Sequence, residues 1–585
     1  MIYHSPAEEA SEKALREMFQ AINEDKCFRL EAGAGAGKTY SLIEALKFLI
    51  SNKYLTYSQK GQQIACITYT NVAKDEIKDR TDNHPVVFTD TIHGFCWSLL
   101  QGLQKELCKH TSQLGGNWPK RIEEAGGIKN QRVIYDLGYP KIDEYEISLH
   151  HDDVIRMMTF FLAFPKFQRL IKAKYPIIFI DEYQDTNKDL ASAIVHNLID
   201  NDSGILIGLF GDHWQKIYGS SACGLITSEK QKIVEIGKNA NFRSVKNIVD
   251  ALNNMRPDLP QHESDPKSVG EIRIYHSNGW IGTRQTQNHW QEDLPSEIAH
   301  EYLQNTISIL ENCGWEFTVE KTKILMLTNN VLASEQGYKN LVSCFSSPDD
   351  YLKKNDHYMK FFLEVIEPVC ESFEKGCYGE IFKRLDTKNT RLTKQSDKQQ
   401  WASDLNKLIE TRNSETIRDV IDLLKITRHP RLSAKIEEAE TRINDFNSLE
   451  DKNSAGEKEI SFVEKVNKIK SVSYKEVMQL YQYVEDKTPF STKHGVKGAQ
   501  FENVLVVCGR GWNNYNWNQM LQWFGNVPRG KEETFERNRN LFYVACSRPK
   551  KRLAILFTQL LTNSALQAVE SLFGKANISG DPCQK

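Results

Sequence analysis

Short apolar runs recur along the chain, and most are followed by a polar or glycine-rich turn and then by an amphipathic segment. Apolar runs bounded by turn residues predict buried strands, and their alternation with helical patterns predicts parallel sheets. We therefore expect an α/β fold with two such units. Strands are expected at residues 27–30, 63–68, 86–89, 177–180 and 205–210 in the first unit, and at 271–275, 323–327 and 504–508 in the second.

The strand pattern is interrupted by two long segments, and both are predicted to be helical insertions. Residues 98–171 are helical with loop-like patches, and residues 345–485 are helix-rich with charge runs of mixed sign, which are typical of solvated helix faces. The expected division is a first α/β domain at 1–97 and 172–225, its insertion at 98–171, a second α/β domain at 226–344 and 486–575, its insertion at 345–485, and a disordered tail at 576–585.

Composition narrows the class of protein. The chain has 585 residues and a formal net charge of −2, so a nucleic-acid site would have to be a local groove rather than a broadly basic surface. Its twelve cysteines are scattered, with no pair or cluster at metal-ligand spacing, which predicts reduced thiols and argues against a zinc or iron–sulfur site. No signal peptide or membrane span is recognisable, so we expect a cytoplasmic protein.

The sequence EAGAGAGKT, Glu31 to Thr39, predicts a phosphate-binding loop between a strand and a helix. Glycines let backbone N–H groups turn toward a polyphosphate, and the following helix adds the positive end of its dipole. The alternative is a tight turn without a ligand, but a Lys-Thr pair after the last glycine favours nucleotide binding. Ala32 stands where the strict pattern has glycine. The candidate nucleotide ligands are Ala32, Gly33, Ala34, Gly35, Ala36, Gly37, Lys38 and Thr39.

Two adjacent acids follow the apolar run at 177–180. Asp181 is placed to hold Mg²⁺ together with the Thr39 hydroxyl, and Glu182 to orient or deprotonate the attacking water. Gln215, after the next strand, is a candidate sensor of the γ-phosphate. Solvated surface acids are the alternative for the pair, which the buried strand before them disfavours.

Several side chains near the ends of the strands are candidates for binding single-stranded nucleic acid. The turn at Thr68 to Asn71 follows a strand, and Tyr69 within it could stack on a base, a contact worth about 1–3 kcal/mol. His93 precedes Gly94, which would allow a close phosphodiester. Packing within the fold is the alternative for each of these side chains. The candidate DNA-binding residues are Thr68, Tyr69, Asn71, His93, Tyr218 and His494.

Three further side chains are candidates for the nucleotide site. Arg243 and Arg548 could act as arginine fingers, a role worth about 10³ to 10⁵ in rate. Gln20 could hydrogen-bond an adenine edge, although an ordinary surface glutamine is the stronger interpretation.

The ordered motifs AGAGAGKT, TYTN, TIHGF, IDEYQDTN, GDxxQxIYG, NFRS, TKHGVKG and FYVACSR resemble those of superfamily 1 helicases of the UvrD/PcrA/Rep type. The resemblance covers both α/β units and implies two RecA-like P-loop domains, ATP with Mg²⁺ between them, and single-stranded or tailed duplex DNA across them. It implies that Phe242 stacks on adenine and that Gln500 lies at the position of an acid near the ribose. It also implies movement from 3′ to 5′.

The sequence departs from this family where Ser220 and Ser221 replace an aromatic residue and an arginine, so one stacking platform is missing; Trp214 is a candidate replacement. Near-neutral charge and these serines leave open a second interpretation. The chain also resembles the helicase-like subunit of bacterial Gabija defence systems, which is paired with an OLD-family nuclease, and it would then regulate that partner with little unwinding. A helicase-nuclease of the AddA/RecB type and a simple P-loop kinase are weaker alternatives.

Overall fold

The computed structural model describes residues 5–136, 140–217, 219, 221–326, 329–385, 394–449, 456–491, 499–510 and 515–583. The first unit consists of α1 (Pro6–Asn23), β1 (Cys27–Ala32), α2 (Lys38–Lys60), β2 (Ile64–Thr68), α3 (Asn71–Arg80), β3 (Val87–Thr91), α4 (Ile92–Leu100), α5 (Gln104–His110), α6 (Trp118–Glu124), β4 (Arg132–Tyr135), β5 (Lys141–Ile142), β6 (Glu146–Leu149), α7 (His151–Leu162), α8 (Pro165–Lys174), β7 (Ile177–Asp181), α9 (Lys188–Ile194), β8 (Leu206–Gly211) and β9 (Ile233–Lys238).

The second unit and its insertion consist of β10 (Ala240–Asn241), α10 (Lys246–Met255), β11 (His262–Glu263), β12 (Glu271–His276), α11 (Ser296–Asn312), β13 (Thr322–Met326), α12 (Asn329–Glu335), α13 (Lys339–Val342), α14 (Pro348–Leu352), α15 (His357–Phe361), α16 (Glu367–Glu374), α17 (Tyr378–Arg384), α18 (Gln395–Ser414), α19 (Ile417–Thr427), α20 (Ala434–Asn447), α21 (Glu457–Lys470), α22 (Tyr474–Val484), β14 (Phe490–Ser491), β15 (Phe501–Cys508), α23 (Trp517–Gln522), α24 (Glu532–Cys546), β16 (Pro549–Phe557), α25 (Asn563–Phe573) and β17 (Ile578–Gly580).

Two six-stranded parallel sheets confirm the predicted α/β class. The first has the order β3-β2-β7-β8-β1-β9, and the second has the order β14-β13-β15-β16-β12-β17. Their central strands are buried along nearly their whole length because helices cover both faces, as all-parallel sheets require. In the first sheet, β8 lies between β7 and β1, so the carboxyl ends of these three strands are neighbours. Ligands bind at such an edge in open α/β sheets.

The predicted division of the chain needs three corrections. The first domain extends past residue 225, because β9 (Ile233–Lys238) pairs with β1 at the edge of the first sheet. The first insertion contains a small sheet, β4-β6-β5, besides its helices. The tail is ordered rather than disordered where it is described, because β17 (Ile578–Gly580) pairs with β12 and the Tyr302 hydroxyl donates to Asp581 Oδ2 at 2.9 Å.

The insertion in the second domain has a hydrophobic core of its own. Its helices bury a cluster that includes Phe362, Leu408, Ile421, Val466 and Leu480, all at most 2% exposed. Many charged residues lie on the outer faces of these helices, as the charge pattern predicts, whereas Arg412 and Glu367 are buried as an ion pair. None of the helices in the described part of the chain is long and apolar enough to cross a membrane.

We predict that deleting residues 578–585 destabilises the second domain. The deletion removes β17, exposes one edge of β12 and breaks the hydrogen bond between Tyr302 and Asp581. The expected loss in the free energy of unfolding is about 1–3 kcal/mol, measured by urea unfolding. Tyr302→Phe, which removes only the hydrogen bond, is the matched variant and should cost about 1 kcal/mol. A deletion that unfolds at the wild-type urea concentration would show that the tail contributes nothing.

Candidate active site

The glycine-rich loop has the predicted surroundings of strand, loop and helix. β1 ends at Ala32, and α2 begins at Lys38. Gly35 and Gly37 adopt left-handed backbone conformations with φ of 75° and 76°, which residues with side chains rarely adopt. A Cβ atom on Gly35 would lie 2.8 Å from both Arg243 Cβ and Asn241 Oδ1. The loop therefore needs glycine there both for its own fold and for contact with the second domain.

Lys38 and Glu182 form an ion pair in the cleft between the two domains. Lys38 Nζ lies 3.0 Å from Glu182 Oε2, which also accepts a hydrogen bond from Gln184 Nε2 at 2.6 Å. Burial lowers the pKa of Lys38, but the negative charges of Glu182, Asp212 and Asp181 raise it more, so the net shift is upward. Glu182 has a φ of 47°, a strained conformation for a residue with a side chain, and strain of this kind clusters at functional sites.

Gln215 lies between an acid of the first domain and an arginine of the second. Its Nε2 donates to Asp212 Oδ2 at 2.8 Å, and its Oε1 accepts from Arg548 Nη2 at 3.3 Å. Asp212 directly follows β8, and Arg548 lies between α24 and β16. The γ-phosphate sensor predicted from the sequence is thus part of the contact between the two domains.

The two predicted arginine fingers lie side by side. Arg243 Nη1 donates to the Ser547 carbonyl at 2.9 Å, next to Arg548 in the chain. Burial and the nearby Arg243 charge lower the pKa of Arg548 to about 9, and burial lowers the pKa of Arg243. These guanidinium groups come from the second domain, whereas Lys38 comes from the first. A polyanion between the domains would offset this concentration of buried positive charge.

The segment Asn241 to Arg243 covers the glycine-rich loop. Asn241 Nδ2 donates to the Ala34 carbonyl at 3.2 Å, and the Phe242 N–H donates to the Gly35 carbonyl at 2.9 Å. The Phe242 side chain remains 44% exposed beside Gly37. Its position is compatible with the predicted stacking on a base.

Two residues beside the loop were not predicted from the sequence. Lys238, the last residue of β9, is completely buried, and its amine donates to Ser41 Oγ at 2.7 Å and to the Gly37 carbonyl at 3.3 Å. Burial lowers its pKa to about 8, and no carboxylate of the described residues pairs with it. Tyr40 is 46% exposed, and the Lys238 amine lies 5.4 Å from its ring centroid. Strand β9 has no motif that would have pointed to Lys238.

Glu31 is a third residue that the sequence reasoning missed. Its carboxylate accepts from the Tyr183 hydroxyl at 2.6 Å and from the His213 N–H and Nδ1 at 2.9 and 2.7 Å. Burial would raise its pKa, but hydrogen bonds and the charge of His213 lower it to about 2. An acid in a buried strand, directly before the glycine-rich loop, was the available signal.

Glu31, Asp212 and His213 bring possible metal-ligand atoms close together. Arg256 Nη1 lies 2.5 Å from Asp212 Oδ1, and Arg256 Nη2 lies 3.3 Å from Glu31 Oε1. The positive charge beside these acids is therefore a guanidinium. For Mg²⁺, the fitting donors are those of the phosphate-binding region, because the Thr39 hydroxyl and the Asp181 carboxylate are hard oxygen ligands. Asp181 is buried and influences the pKa of Lys38, so it faces the same cleft.

The turn after β2 contacts the segment that follows Glu182. The Tyr69 hydroxyl donates to the Asp185 carbonyl, and burial raises the pKa of Tyr69. Thr68 is completely buried and donates to the Thr70 carbonyl at 3.1 Å, so its side chain shapes the turn instead of offering a nucleic-acid contact. Asn71 is exposed at the start of α3 and remains available. Of the predicted set, Tyr218 and His494 lie outside the described residues.

His93 packs within the first domain. Its ring centroid lies 4.6 Å from that of His151, and burial together with the His151 charge lowers its pKa to about 4. A Cβ on Gly94 would lie about 2.5 Å from the Asp90 carboxyl, so Gly94 makes room for Asp90. The predicted phosphodiester approach at Gly94 is therefore wrong, whereas a neutral His93 can still donate a hydrogen bond.

The structure also gives the exposure of three other candidates, Gln20, Trp214 and Gln500. Gln20 is exposed and donates to Glu24 Oε1 at 2.8 Å, which agrees with the surface interpretation. Trp214 is only 6% exposed, so it cannot replace the missing stacking platform. Gln500 is exposed and follows Ala499, whose carbonyl accepts from Arg548 Nη1 at 3.4 Å.

Comparison with known proteins identifies related chains. A family model described as an AAA domain matches residues 15–221, and one described as a UvrD-like helicase C-terminal domain matches residues 323–559. The chain is 26% identical to Gabija protein GajB of Bacillus cereus, over 96% of this chain and 97% of that relative. It is 27% and 25% identical to ATP-dependent DNA helicase PcrA of Staphylococcus epidermidis and Staphylococcus aureus, over 41% of this chain and 38% of each relative.

We predict that Lys238→Met stabilises the nucleotide-free protein at neutral pH. The pKa of Lys238 falls from 10.5 to about 8 on folding, so wild type carries the cost of a buried charge below pH 8. That cost, about 3 kcal/mol, disappears as the pH rises from about 8 to 10.5, and the advantage of the variant should disappear with it. Urea unfolding of both proteins at pH 7 and pH 10 measures the difference.

Lys323→Met is the matched control for this prediction. Lys323 is also buried, at 2% exposed, but its amine lies 2.5 Å from Asp486 Oδ1, so the substitution should destabilise the protein. A Lys238→Met protein less stable than wild type at pH 7 would show that its hydrogen bonds to Ser41 and Gly37 outweigh the cost of burial.

Proposed function

Because the chain belongs to the UvrD-like helicase family, we propose that it is an ATP-hydrolysing translocase that moves from 3′ to 5′ on single-stranded DNA. The single observation that carries this proposal is the composite cleft. Lys38 and Glu182 come from the first domain, and Arg243 and Arg548 reach the same cleft from the second. A simple phosphate-binding protein has no need for such cations from a second domain.

Each residue has a defined task in hydrolysis. Lys38 and the backbone N–H groups of its loop bind the phosphates, Glu182 orients and deprotonates the attacking water, and Gln215 contacts the γ-phosphate. Arg243 and Arg548 stabilise the charge that develops on the transferred phosphoryl group. Thr39 and Asp181 would hold Mg²⁺, which neutralises phosphate charge when bound.

A short series of contacts connects the site of hydrolysis with the DNA-binding candidates of the first domain. Glu182 and Asp185 belong to the same turn after β7, and the backbone carbonyl of Asp185 accepts a hydrogen bond from the Tyr69 hydroxyl. A shift of Glu182 on hydrolysis therefore moves the turn that carries Tyr69 and Asn71. Opening a duplex costs about 1.4 kcal/mol per base-pair step, so sustained movement through duplex DNA needs this coupling to hydrolysis.

One comparison favours a second function. The similarity to Gabija protein GajB extends over almost the entire chain, whereas the similarity to PcrA covers less than half of it. The chain would then be the DNA- or nucleotide-sensing ATPase subunit of a cytoplasmic antiviral defence complex, with an OLD-family nuclease as its partner. In that function, closure of the cleft regulates the partner, and unwinding by the chain alone is weak.

We predict that Glu182→Gln strongly slows ATP hydrolysis but keeps nucleotide binding. The substitution keeps the size of the side chain and removes the carboxylate that activates water, so the rate should fall by about 10²- to 10⁴-fold. Steady-state ATPase assays with and without single-stranded DNA, and binding of a fluorescent ATP analogue, measure the two properties. Lys38→Ala is the matched variant, and it should lose binding as well as hydrolysis.

Duplexes with a single-stranded tail at either end distinguish the two functions. DNA-stimulated hydrolysis with unwinding of the 3′-tailed duplex, lost in Glu182→Gln, is the result expected of a translocase. Unwinding of only the 5′-tailed duplex would contradict the proposed direction. Hydrolysis without DNA stimulation or unwinding would contradict the translocase and favour the regulatory subunit.

A further inference from the structure

Arg256 is a buried arginine of the second domain that reaches two acids of the first. It follows α10, which packs against β12, α24 and α25 of the second domain. Its side chain is 2% exposed, and its guanidinium contacts Asp212 at 2.5 Å and Glu31 at 3.3 Å. Burial lowers the pKa of Arg256, but these acids raise it more, so it stays charged. Arg256 thus spans the cleft on the side of β8.

Asp212 fixes the orientation of the Gln215 side chain. An ionised carboxylate only accepts hydrogen bonds, so the amide group of Gln215 must turn its NH₂ toward Asp212. The amide oxygen is then left for Arg548, which only donates. The reversed amide would place oxygen against carboxylate and NH₂ against guanidinium. Arg256 holds the other carboxylate oxygen of Asp212, and so completes the chain Arg256–Asp212–Gln215–Arg548.

Trp214 supports the same arrangement from one side. Two guanidinium groups lie close to its ring, with the Cζ of Arg539 at 3.7 Å and that of Arg256 at 5.4 Å from the ring centroid. Arg539 and Arg548 belong to α24 and to the loop after it. The short segment Asp212 to Gln215 is therefore held at both ends by arginines of the second domain. Cation–π contacts of this kind are strongest when desolvated.

We propose that Arg256 is a positioning residue for ATP hydrolysis. It acts through Asp212, which it holds in the one orientation that presents the Gln215 oxygen to Arg548. This inference rests on the ATPase activity proposed above. A buried ion pair is often no more stabilising than apolar residues of the same volume. The planar guanidinium of Arg256 is therefore better explained by the orientation that it imposes on Asp212 than by a gain in stability.

The test is a double-mutant cycle between Arg256 and Gln215. Arg256→Lys keeps the positive charge but cannot hold Asp212 and Glu31 with one planar group. We expect kcat for ATP to fall by about 10- to 100-fold, because a small misplacement of a catalytic group costs up to about 100-fold, with KM changed by less than about threefold. In a Gln215→Ala background, the same substitution should cause no further loss.

Two additional variants keep the test independent of folding. Asp212→Asn is nearly isosteric, and its amide NH₂ permits the reversed Gln215 orientation, so it should lower kcat without an additional loss in Gln215→Ala. Arg412→Met is the control, since Arg412 is a buried arginine that bridges Glu367 and Glu374 in the helical insertion. It should lower the urea midpoint while leaving kcat at the wild-type value.

The outcomes separate this inference from the proposed function. Losses from Arg256→Lys and Gln215→Ala that multiply, or an Arg256→Lys protein with reduced stability and unchanged kcat, would overturn the positioning role while wild type still hydrolyses ATP. Absence of ATP hydrolysis by wild type, with or without single-stranded DNA, would overturn the proposed function and this inference with it.

Discussion

Buried charge is costly unless it is paired, and in this protein several of the pairs join the two domains. The first sheet ends in acids, among them Glu31 before the glycine-rich loop and Asp212 after β8. The second domain supplies the arginines, and Arg256 reaches both of these acids. Each acid also accepts hydrogen bonds within the first domain, Glu31 from Tyr183 and Asp212 from Gln215, and Arg256 adds a buried positive charge from the second domain. These ion pairs hold the two domains together. The position of the second domain over the glycine-rich loop, and that of Gln215, depend on them.

The sequence predicts most strands because strands buried on both faces read as continuous apolar runs, as β7 and β8 do. It misses β9 because this edge strand contains Glu235 and ends in Lys238, so its pattern resembles a polar loop. The tail fails for a similar reason, since β17 has only three residues and ends in glycine. In both cases, hydrogen bonds to a neighbouring strand stabilise a strand that the local sequence pattern does not predict.

Local motifs also explain which site residues are predictable. The glycine-rich loop and the acids after β7 are contiguous in the sequence, and the backbone that carries them dictates their geometry. Arg256 lies 225 residues from Glu31 and 44 from Asp212, so only the topology brings them together. Trp214 shows the converse error, because an aromatic residue on a polar loop looks available for stacking until two arginines from another domain cover it.

In the proposed function, closure of the cleft and binding of DNA both involve the turn after β7. Glu182 pairs with Lys38 and carries a strained backbone, while Asp185, three residues later, holds the Tyr69 hydroxyl. A phosphate that competes with Glu182 for Lys38 therefore changes the forces on the turn that ends beside the DNA-binding candidates. The second domain contacts the same site through the hydrogen bond from Arg548 to Gln215. Coupling requires an element whose equilibrium both sites bias. In the proposed function that element is the turn after β7, which contacts Lys38 through Glu182 and Tyr69 through Asp185.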